Sequence, residues 1–260
     1  MKKLMKYDLK KMTKTLFYFY GLAIIFALLT RLISLGNRIQ FLFIISKIFE
    51  GITFSAIFNV LINTFIHIIL TFYIGFYKDE SYLIHTLPVS KDKLMLSKFL
   101  SGLIVVVSSV VVCVLSLFIL FYSKGFFSLI KLIFQQVVSG LDMPSWLFLS
   151  LIIMLIFLEI CTIISMAFTA IVKANTYLSK RVLKGLLTFA FYFVVFNALT
   201  ILVFVLIFAL SGQVGELFAT TLTQKSFVTL LVSGVILYLI GAITFYFLSL
   251  REFKKGVNVD

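Results

Sequence analysis

A single carboxyl group lies deep inside one of the most apolar stretches of this sequence. Glu159 is flanked by Leu, Ile, Phe and Met, and Thr162, Met166 and Thr169 follow it at helical spacing. A carboxylate in such surroundings is strongly disfavoured unless it is protonated, paired or in contact with water. Glu159 is therefore a candidate for substrate contact or conformational coupling, with Asn197 as a candidate partner. The alternative is a packing role, in which it bridges to an Asn or Ser of another helix.

A second set of polar side chains recurs every four residues in another apolar stretch: Ser55, Asn59, Asn63, His67 and Thr71. Each step of four residues rotates by about 40° around a helix, so the set forms a slowly winding stripe. Two interpretations remain open, namely hydrogen bonds between helices or part of a polar substrate path. We expect no metal site, because the only other histidine, His85, lies in a different segment.

Covalent catalysis has little support in these residues. The sequence contains no H-E-x-x-H motif, no second deep acid beside Glu159, and no Ser–His pair at one depth. Cys113 and Cys161 are the only cysteines, and both lie within apolar runs, which is typical of packing residues rather than of disulfides or metal ligands. The sequence therefore predicts a protein that is not an enzyme.

The composition shows which elements must carry these residues. Of 260 residues, 62% are hydrophobic, which is more apolar surface than a soluble domain can bury. A helix needs about 20 mainly apolar residues to cross a bilayer. Six runs meet this requirement, near 16–35, 54–77, 99–122, 146–172, 186–211 and 227–249. We therefore predict an all-α integral membrane protein in which residues 1–260 form one domain of six transmembrane helices.

The basic residues are distributed unevenly between the two sides of such a domain. Seventeen of the 23 lie in the N-terminal segment, the second-to-third gap, the fourth-to-fifth gap and the C-terminal tail. The positive-inside rule then places both termini in the cytoplasm of a multi-pass plasma-membrane protein. The net charge of +13 points to anionic lipid headgroups, and nucleic-acid-binding motifs are absent, so no nucleic-acid partner is expected.

Residues 1–15 have the pattern of an amphipathic helix. Met5, Leu9, Met12 and Leu16 cluster on one side of a helical wheel. The opposite side carries a row of basic residues that would contact the membrane surface: Lys3, Lys6, Lys10 and Lys14. This pattern predicts an interfacial helix on the cytoplasmic leaflet before the first span. The alternative is a basic flank that serves only to fix topology.

The loop of residues 78–98 is long and patterned for a connection between two spans. Asp79 and Glu80 suit the start of a short helix, and Pro88 disfavours helix at the residue before it. Ser90 then suits the N-cap of the next helix. A short helix whose exposed face contains Tyr82 and Leu83 suits insertion into a groove of a partner protein.

The residues from 79 to 90, DESYLIHTLPVS, followed by Leu94, Ser97 and Lys98, resemble the first cytoplasmic loop of small bacterial ABC transporter permeases of the type-2 export family. The basic amphipathic start and the six spans are similar to that family in layout. The resemblance implies that this loop is a coupling helix seated in a cleft of an ATP-hydrolysing subunit. The implied coupling residues are Asp79, Glu80, Ser81, Tyr82, Leu83, Ile84, His85, Thr86, Leu87 and Pro88.

The resemblance also implies a function and a set of partners. The chain would be the permease subunit of a bacterial exporter of hydrophobic or amphipathic molecules, such as peptides, antimicrobials or drugs. This sequence has no G-x-x-x-x-G-K-[ST] phosphate loop, so ATP and Mg²⁺ would be bound by separate ABC ATPase subunits and no cofactor by this chain. A second permease chain would complete a homo- or heterodimer. The alternative is a secondary transporter or channel without an ATPase, which uses Glu159 and the polar stripe.

Overall fold

The computed structural model describes residues 2–78, 80–86, 88–122, 124–139, 144–177, 180–212, 215 and 223–255. Asp79, Leu87 and the side chain of His85, all named above as coupling residues, lie outside the described part. In the described ranges the chain forms eight α-helices: α1 (Lys2–Ser34), α2 (Gln40–Tyr77), α3 (Ser81–Thr86), α4 (Lys91–Phe121), α5 (Lys124–Ser139), α6 (Ser145–Ala174), α7 (Arg181–Leu210) and α8 (Gln224–Lys254).

Six of these helices, α1, α2, α4, α6, α7 and α8, are long and apolar enough to cross a bilayer. They contain 30 to 38 residues, and their most apolar windows have a mean hydropathy of 1.9 to 3.1. The prediction of an all-α protein with six candidate membrane spans is confirmed. Most of the helices extend beyond the apolar runs, since nothing breaks them at the edge of the hydrocarbon; α2, for example, begins at Gln40 rather than near residue 54.

The helix α1 joins the predicted interfacial helix and the first span without interruption. Its apolar side is used for protein packing, because Met12 and Leu16 are buried. The basic side is exposed along its length, as predicted, with Lys3, Lys6, Lys10 and Lys14 accessible. Contact of these lysines with lipid headgroups stays a prediction.

The chain divides into two compact units, Met1–Leu129 and Ile130–Asp260. In the first unit, small polar side chains join the spans. The Oγ1 atoms of Thr30 on α1 and Thr53 on α2 are 2.8 Å apart, and Thr64 of α2 lies 2.6 Å from the hydroxyl of Ser109 on α4. Hydroxyl pairs of this kind allow close helix approach in lipid, with one hydroxyl donating and the other accepting.

The second unit is built on a parallel contact between α6 and α8. The hydroxyl of Thr162 lies 2.9 Å from the carbonyl oxygen of Tyr238, and that of Thr169 lies 2.9 Å from the carbonyl oxygen of Phe245. Each hydroxyl shares its single proton between this carbonyl of α8 and one of its own helix at 2.8 Å. The two bonds are seven residues apart on both helices, which is the repeat of a parallel coiled-coil seam. A Cβ atom at Gly241, between them, would lie 2.6 Å from the ring of Phe196, so α7 approaches α8 closely there.

Both cysteines are buried and unpaired within helices, in agreement with their predicted packing role. Cys113 lies in a cluster with Ala23, Ile57 and Val60, where α1, α2 and α4 meet. Its thiol lies 3.9 Å from the carbonyl oxygen of Ile57. Cys161 lies on α6, one residue before Thr162 of the seam.

Candidate functional site

The short helix α3 has a buried face and an exposed face. Ser81 and Ile84 are buried, whereas the side chains of Tyr82 and Leu83 are 78% and 70% exposed. Pro88 follows shortly afterwards, and a proline disfavours helical backbone at the residue before it. The sequence therefore specifies a helix of fewer than two turns, with one side seated on the protein and the other carrying two large apolar groups outward.

A buried ion pair lies beneath α3 and joins α1 to α4. The Nζ atom of Lys98 donates to Oδ1 of Asp8 at 2.6 Å, and the two side chains are 7% and 3% exposed. Burial raises the pKa of the Asp8 carboxyl, and the Lys98 ammonium partly offsets that shift. An unpaired buried charge costs several kcal/mol of folding free energy, and the attraction between Asp8 and Lys98 offsets part of this cost for both groups.

Gly75 on α2 provides the space that this pair needs. A Cβ atom at Gly75 would lie 2.8 Å from Nζ of Lys98 and 3.3 Å from Cδ1 of Ile84. The same ammonium lies 5.8 Å from the centroid of the Phe76 ring. The missing side chain at Gly75 thus lets Lys98 reach Asp8 and lets the inner face of α3 sit on α2.

Glu80 fastens the start of α3 to α1. Its Oε1 atom accepts a hydrogen bond from Nζ of Lys11 at 2.5 Å and lies 3.5 Å from the hydroxyl of Tyr7. Between α1, α3 and α4 lies a cavity of about 280 Å³ with mostly apolar walls. Its lining includes Leu4, Leu83 and Leu94 together with Asp8, Glu80 and Lys98. We call this region, with its ion pairs and its cavity, the α3 end of the first unit.

The structure brings most of the predicted coupling residues together at the α3 end. Glu80 precedes the helix, and Ser81, Tyr82, Leu83, Ile84 and Thr86 belong to it. Ser90 occupies the N-cap position of α4 as predicted, but its side chain makes no capping hydrogen bond. Contact of any of these residues with an ATPase stays a prediction.

Sequence reasoning missed Asp8 and Gly75, and it named Lys98 only as a basic residue of the loop and as part of the family resemblance, without a partner. A signal for Asp8 exists in the pattern. It is the one acid among the six lysines of residues 1–14, and it lies one turn before Met12, on the side of the helix that carries the apolar stripe. An acid on the buried side of a basic helix indicates a cationic partner elsewhere in the chain.

Glu159 and Asn197 both line one small cavity in the second unit, and a direct contact between them stays a prediction. The cavity has a volume of about 30 Å³ and is bordered by residues of α6, α7 and α8, among them Thr162, Phe196 and Tyr238. The amide of Asn197 donates to the carbonyl oxygen of Phe193 at 2.8 Å, within its own helix. This space fits one or two water molecules but not a peptide or a drug.

Along the polar stripe of α2, Ser55 and Asn59 are exposed, whereas Thr71 is buried. Asn59 donates to the carbonyl oxygen of Ser55, and Asn63 donates to that of Asn59, so both bonds lie within α2. The hydroxyl contacts from α2 to α1 and α4 are made by Thr53 and Thr64. His67 is half-buried on the same winding stripe. A role of the stripe in a substrate path stays a prediction.

Comparison with protein-family models, curated proteins and solved structures gives no match to this chain. The chain is a multi-pass helical membrane protein with six candidate spans. Among the residues that the structure describes, no group of three or more His, Cys, Asp and Glu side chains lies close enough to hold a metal ion.

Proposed function

We propose that this chain is the membrane-spanning permease subunit of an ATP-driven exporter, and that α3 is the element through which separate ATPase subunits act on it. The observation that carries the proposal is the two-sided construction of α3. Its inner face is held by Ile84 and Glu80, while Tyr82 and Leu83 are left exposed at the tip of a charged loop. Two neighbouring large apolar side chains on a short helix suit a hydrophobic cleft of a partner protein.

The contacts of α3 give a route for mechanical coupling. The pair of Glu80 with Lys11 attaches α3 to α1, and the packing of Ile84 against Gly75 attaches it to α2. The pair of Asp8 with Lys98 links α1 and α4 directly beneath it. A displacement of α3 by a partner is therefore transmitted to three candidate spans at once.

The charge distribution and the loop sequence support the same proposal. The loop that contains α3 is one of the segments that hold seventeen of the 23 basic residues, which favours the cytoplasmic side, where ATP is available. The loop residues resemble those of type-2 export permeases, and this sequence contains no phosphate loop of its own. ATP and Mg²⁺ would therefore be bound by partner chains.

The proposed cargo is hydrophobic or amphipathic, such as a peptide, an antimicrobial or a drug. The spans of each unit expose many Phe, Leu and Ile side chains, and α7 has only 11% of its most apolar window buried. Such surfaces suit lipid, an apolar cargo or a second permease chain. A homo- or heterodimer of permeases would form the path between its two chains, since none of the three cavities found among the described residues is large enough for a peptide.

The test is co-purification from the native host with a matched charge control. We expect an ATPase to co-purify with the wild-type chain and to be lost with the double variant Tyr82→Glu/Leu83→Glu. Lys93→Glu changes the net charge by the same two units at an exposed position near the start of α4 and should retain the ATPase. Both Tyr82 and Leu83 are exposed, so thermal stability should be unchanged in the double variant.

Two results would contradict the proposal. One is the absence of any ATPase from wild-type preparations that retain transport. The other is full ATPase retention by the Tyr82→Glu/Leu83→Glu chain.

A secondary transporter is the second candidate, and the cavity at Glu159 favours it. A carboxyl group beside Asn197 and Tyr238 in a water-sized space suits proton or ion coupling. This candidate predicts transport in proteoliposomes that is driven by an ion gradient without ATP and lost in Glu159→Gln. Transport that requires ATP and a partner chain would exclude it.

A further inference from the structure

A second, more polar pocket lies at the opposite end of the first unit from α3. It has a volume of about 290 Å³ and is formed where α1 ends, α2 begins, α4 ends and α5 begins. Arg31 on its wall is 23 residues from Asp8 along α1, which corresponds to about 35 Å of helix. The residues that matter for its chemistry are Arg31, Asn37, Lys47, Glu50, Phe121 and Phe126.

The charges of this pocket leave one positive charge uncompensated. Nζ of Lys47 donates to Oε2 of Glu50 at 2.7 Å, so these two side chains neutralise each other. Arg31 has no ion pair among the residues that the structure describes, and it is a half-buried residue of the pocket wall. The net charge of the three groups is therefore +1.

The donors that remain for a ligand are nitrogen groups. The hydroxyl of Ser34 donates to the carbonyl oxygen of Arg31 at 2.7 Å, and that of Ser46 donates to the carbonyl oxygen of Phe43 at 2.8 Å. The guanidinium of Arg31, the amide of Asn37 and the remaining N–H groups of Lys47 are left. A planar guanidinium beside an amide and an ammonium suits the oxygen atoms of a phosphate group.

We propose that this pocket binds a phosphate group, and that its source is the headgroup of an anionic phospholipid. One phosphodiester carries a single negative charge, which matches the net +1 of the pocket. Arg31 lies near the end of the apolar run of residues 16–35, close to the depth of lipid headgroups. The stacked rings of Phe121 and Phe126, with centroids 4.9 Å apart, provide an apolar wall for the glycerol and the start of the acyl chains.

The test compares the full chain and its variants in phosphatidylcholine nanodiscs with and without phosphatidylglycerol. Lipid retention in native mass spectra and the temperature of unfolding are the two measurements. Wild-type protein should retain phosphatidylglycerol and unfold at a higher temperature in its presence. Arg31→Gln should weaken that binding by about tenfold or more, because it removes a charge-assisted pair. Arg38→Gln, at an exposed position in the same turn outside the pocket, should behave as wild type.

A charge series at the exposed pair distinguishes ligand binding from a structural effect. Lys47→Gln makes the pocket neutral and should weaken retention of phosphatidylglycerol, whereas Glu50→Gln raises the charge to +2 and should strengthen it. Loss of an exposed ion pair has little effect on folding, so this series also decides the matter if Arg31→Gln does not fold. Equal responses of Lys47→Gln and Glu50→Gln would overturn the proposal, as would equal responses of Arg31→Gln and Arg38→Gln.

Inorganic phosphate in nanodiscs of phosphatidylcholine alone identifies the source of the ligand. No stabilisation by free phosphate, together with stabilisation by phosphatidylglycerol, supports the lipid headgroup. Stabilisation by free phosphate that is lost in Arg31→Gln would retain the phosphate site and overturn the lipid as its source. The outcome is independent of ATPase binding at α3, so the two proposals fail or succeed separately.

Discussion

Lys98 and Asp8 form a buried ion pair, with Nζ and Oδ1 2.6 Å apart, between residues ninety positions apart in the sequence. Lys98 lies against Gly75 of α2, and the pair lines the same cavity as Leu83 and Ile84 of α3. A buried pair is costly to form and costlier to break on one side, because the remaining charge is left without a partner. This asymmetry makes the pair a sensitive test of how the α3 end is held together.

Asp8→Asn should destabilise the protein by about 3–5 kcal/mol, because it leaves the Lys98 ammonium buried and uncompensated. Thermal unfolding of the purified chain in detergent measures the loss. The apolar double variant Asp8→Leu/Lys98→Met should recover most of it, since it removes both charges. Glu252→Gln, which breaks an exposed pair with Lys255, should cost less than about 1 kcal/mol. A loss no larger than that of Glu252→Gln would show that the pair does not hold α1 to α4.

Gly75→Ala should destabilise the protein by about 1–3 kcal/mol, because the added methyl group would meet Lys98 and Ile84. Gly51 is the matched control, since it lies on the same helix and a Cβ atom there meets nothing within 4 Å. Gly51→Ala should be neutral or stabilising by up to about 1 kcal/mol. In the background of Asp8→Leu/Lys98→Met the penalty at Gly75 should shrink, and full additivity would contradict the proposed contact.

Glu159→Gln should leave thermal stability unchanged or slightly higher, because it replaces an acid in an apolar surrounding by a neutral side chain of the same shape. Transport should fall by about fivefold or more if the carboxyl group couples cargo movement to the conformational cycle. Export assays in proteoliposomes measure the transport rate, and a thermal melt of the same preparation measures the stability. Unchanged transport together with unchanged assembly would remove any role of the charge, and a large loss of stability would indicate a structural partner.

Thr162→Val and Thr169→Val should each destabilise the second unit by about 0.6 kcal/mol, which is typical of a hydrogen bond between membrane helices. Each removes a hydroxyl whose proton is shared between a carbonyl oxygen of α8 and one of α6. Thr229→Val is the control, since the hydroxyl of Thr229 donates to Lys225 within α8 and is exposed. Unfolding by denaturant in detergent measures the free energy of unfolding of each variant. A cost at Thr229 equal to that at the two seam positions would contradict the assigned role of the seam.

The six spans and the short helix of the loop follow from strong local signals. A run of about 20 apolar residues indicates a membrane-spanning helix. Pro88 disfavours helix at the residue before it, so it limits the length of α3 whatever the tertiary structure. The ends of the helices were harder to predict from the sequence. Hydropathy detects only the hydrocarbon region, whereas α2 and α4 continue as helices beyond their apolar runs. The continuity of α1 across residues 15 and 16 has the same cause.

Pairings between distant helices could not be predicted in this way. The bonds from Thr53 and Thr64 to other helices depend on which faces meet, and a periodic sequence pattern contains no information about the partner of a face. The regular stripe of Asn59, Asn63 and His67 was more conspicuous than those threonines. Large polar side chains at regular spacing are easy to recognise in a sequence. Close contacts between membrane helices, however, are made by small residues such as threonine and serine.

The ninety residues between Asp8 and Lys98 set an order for biosynthesis. At about 5–20 residues per second, the ribosome reaches Lys98 roughly 5–20 s after Asp8, so Asp8 lacks its ion-pair partner during that time. Residues 2–15 can settle into their final position only after α4 has begun to emerge. The contacts beneath α3 are therefore completed late, and a nascent chain lacks them until its third span has begun to emerge.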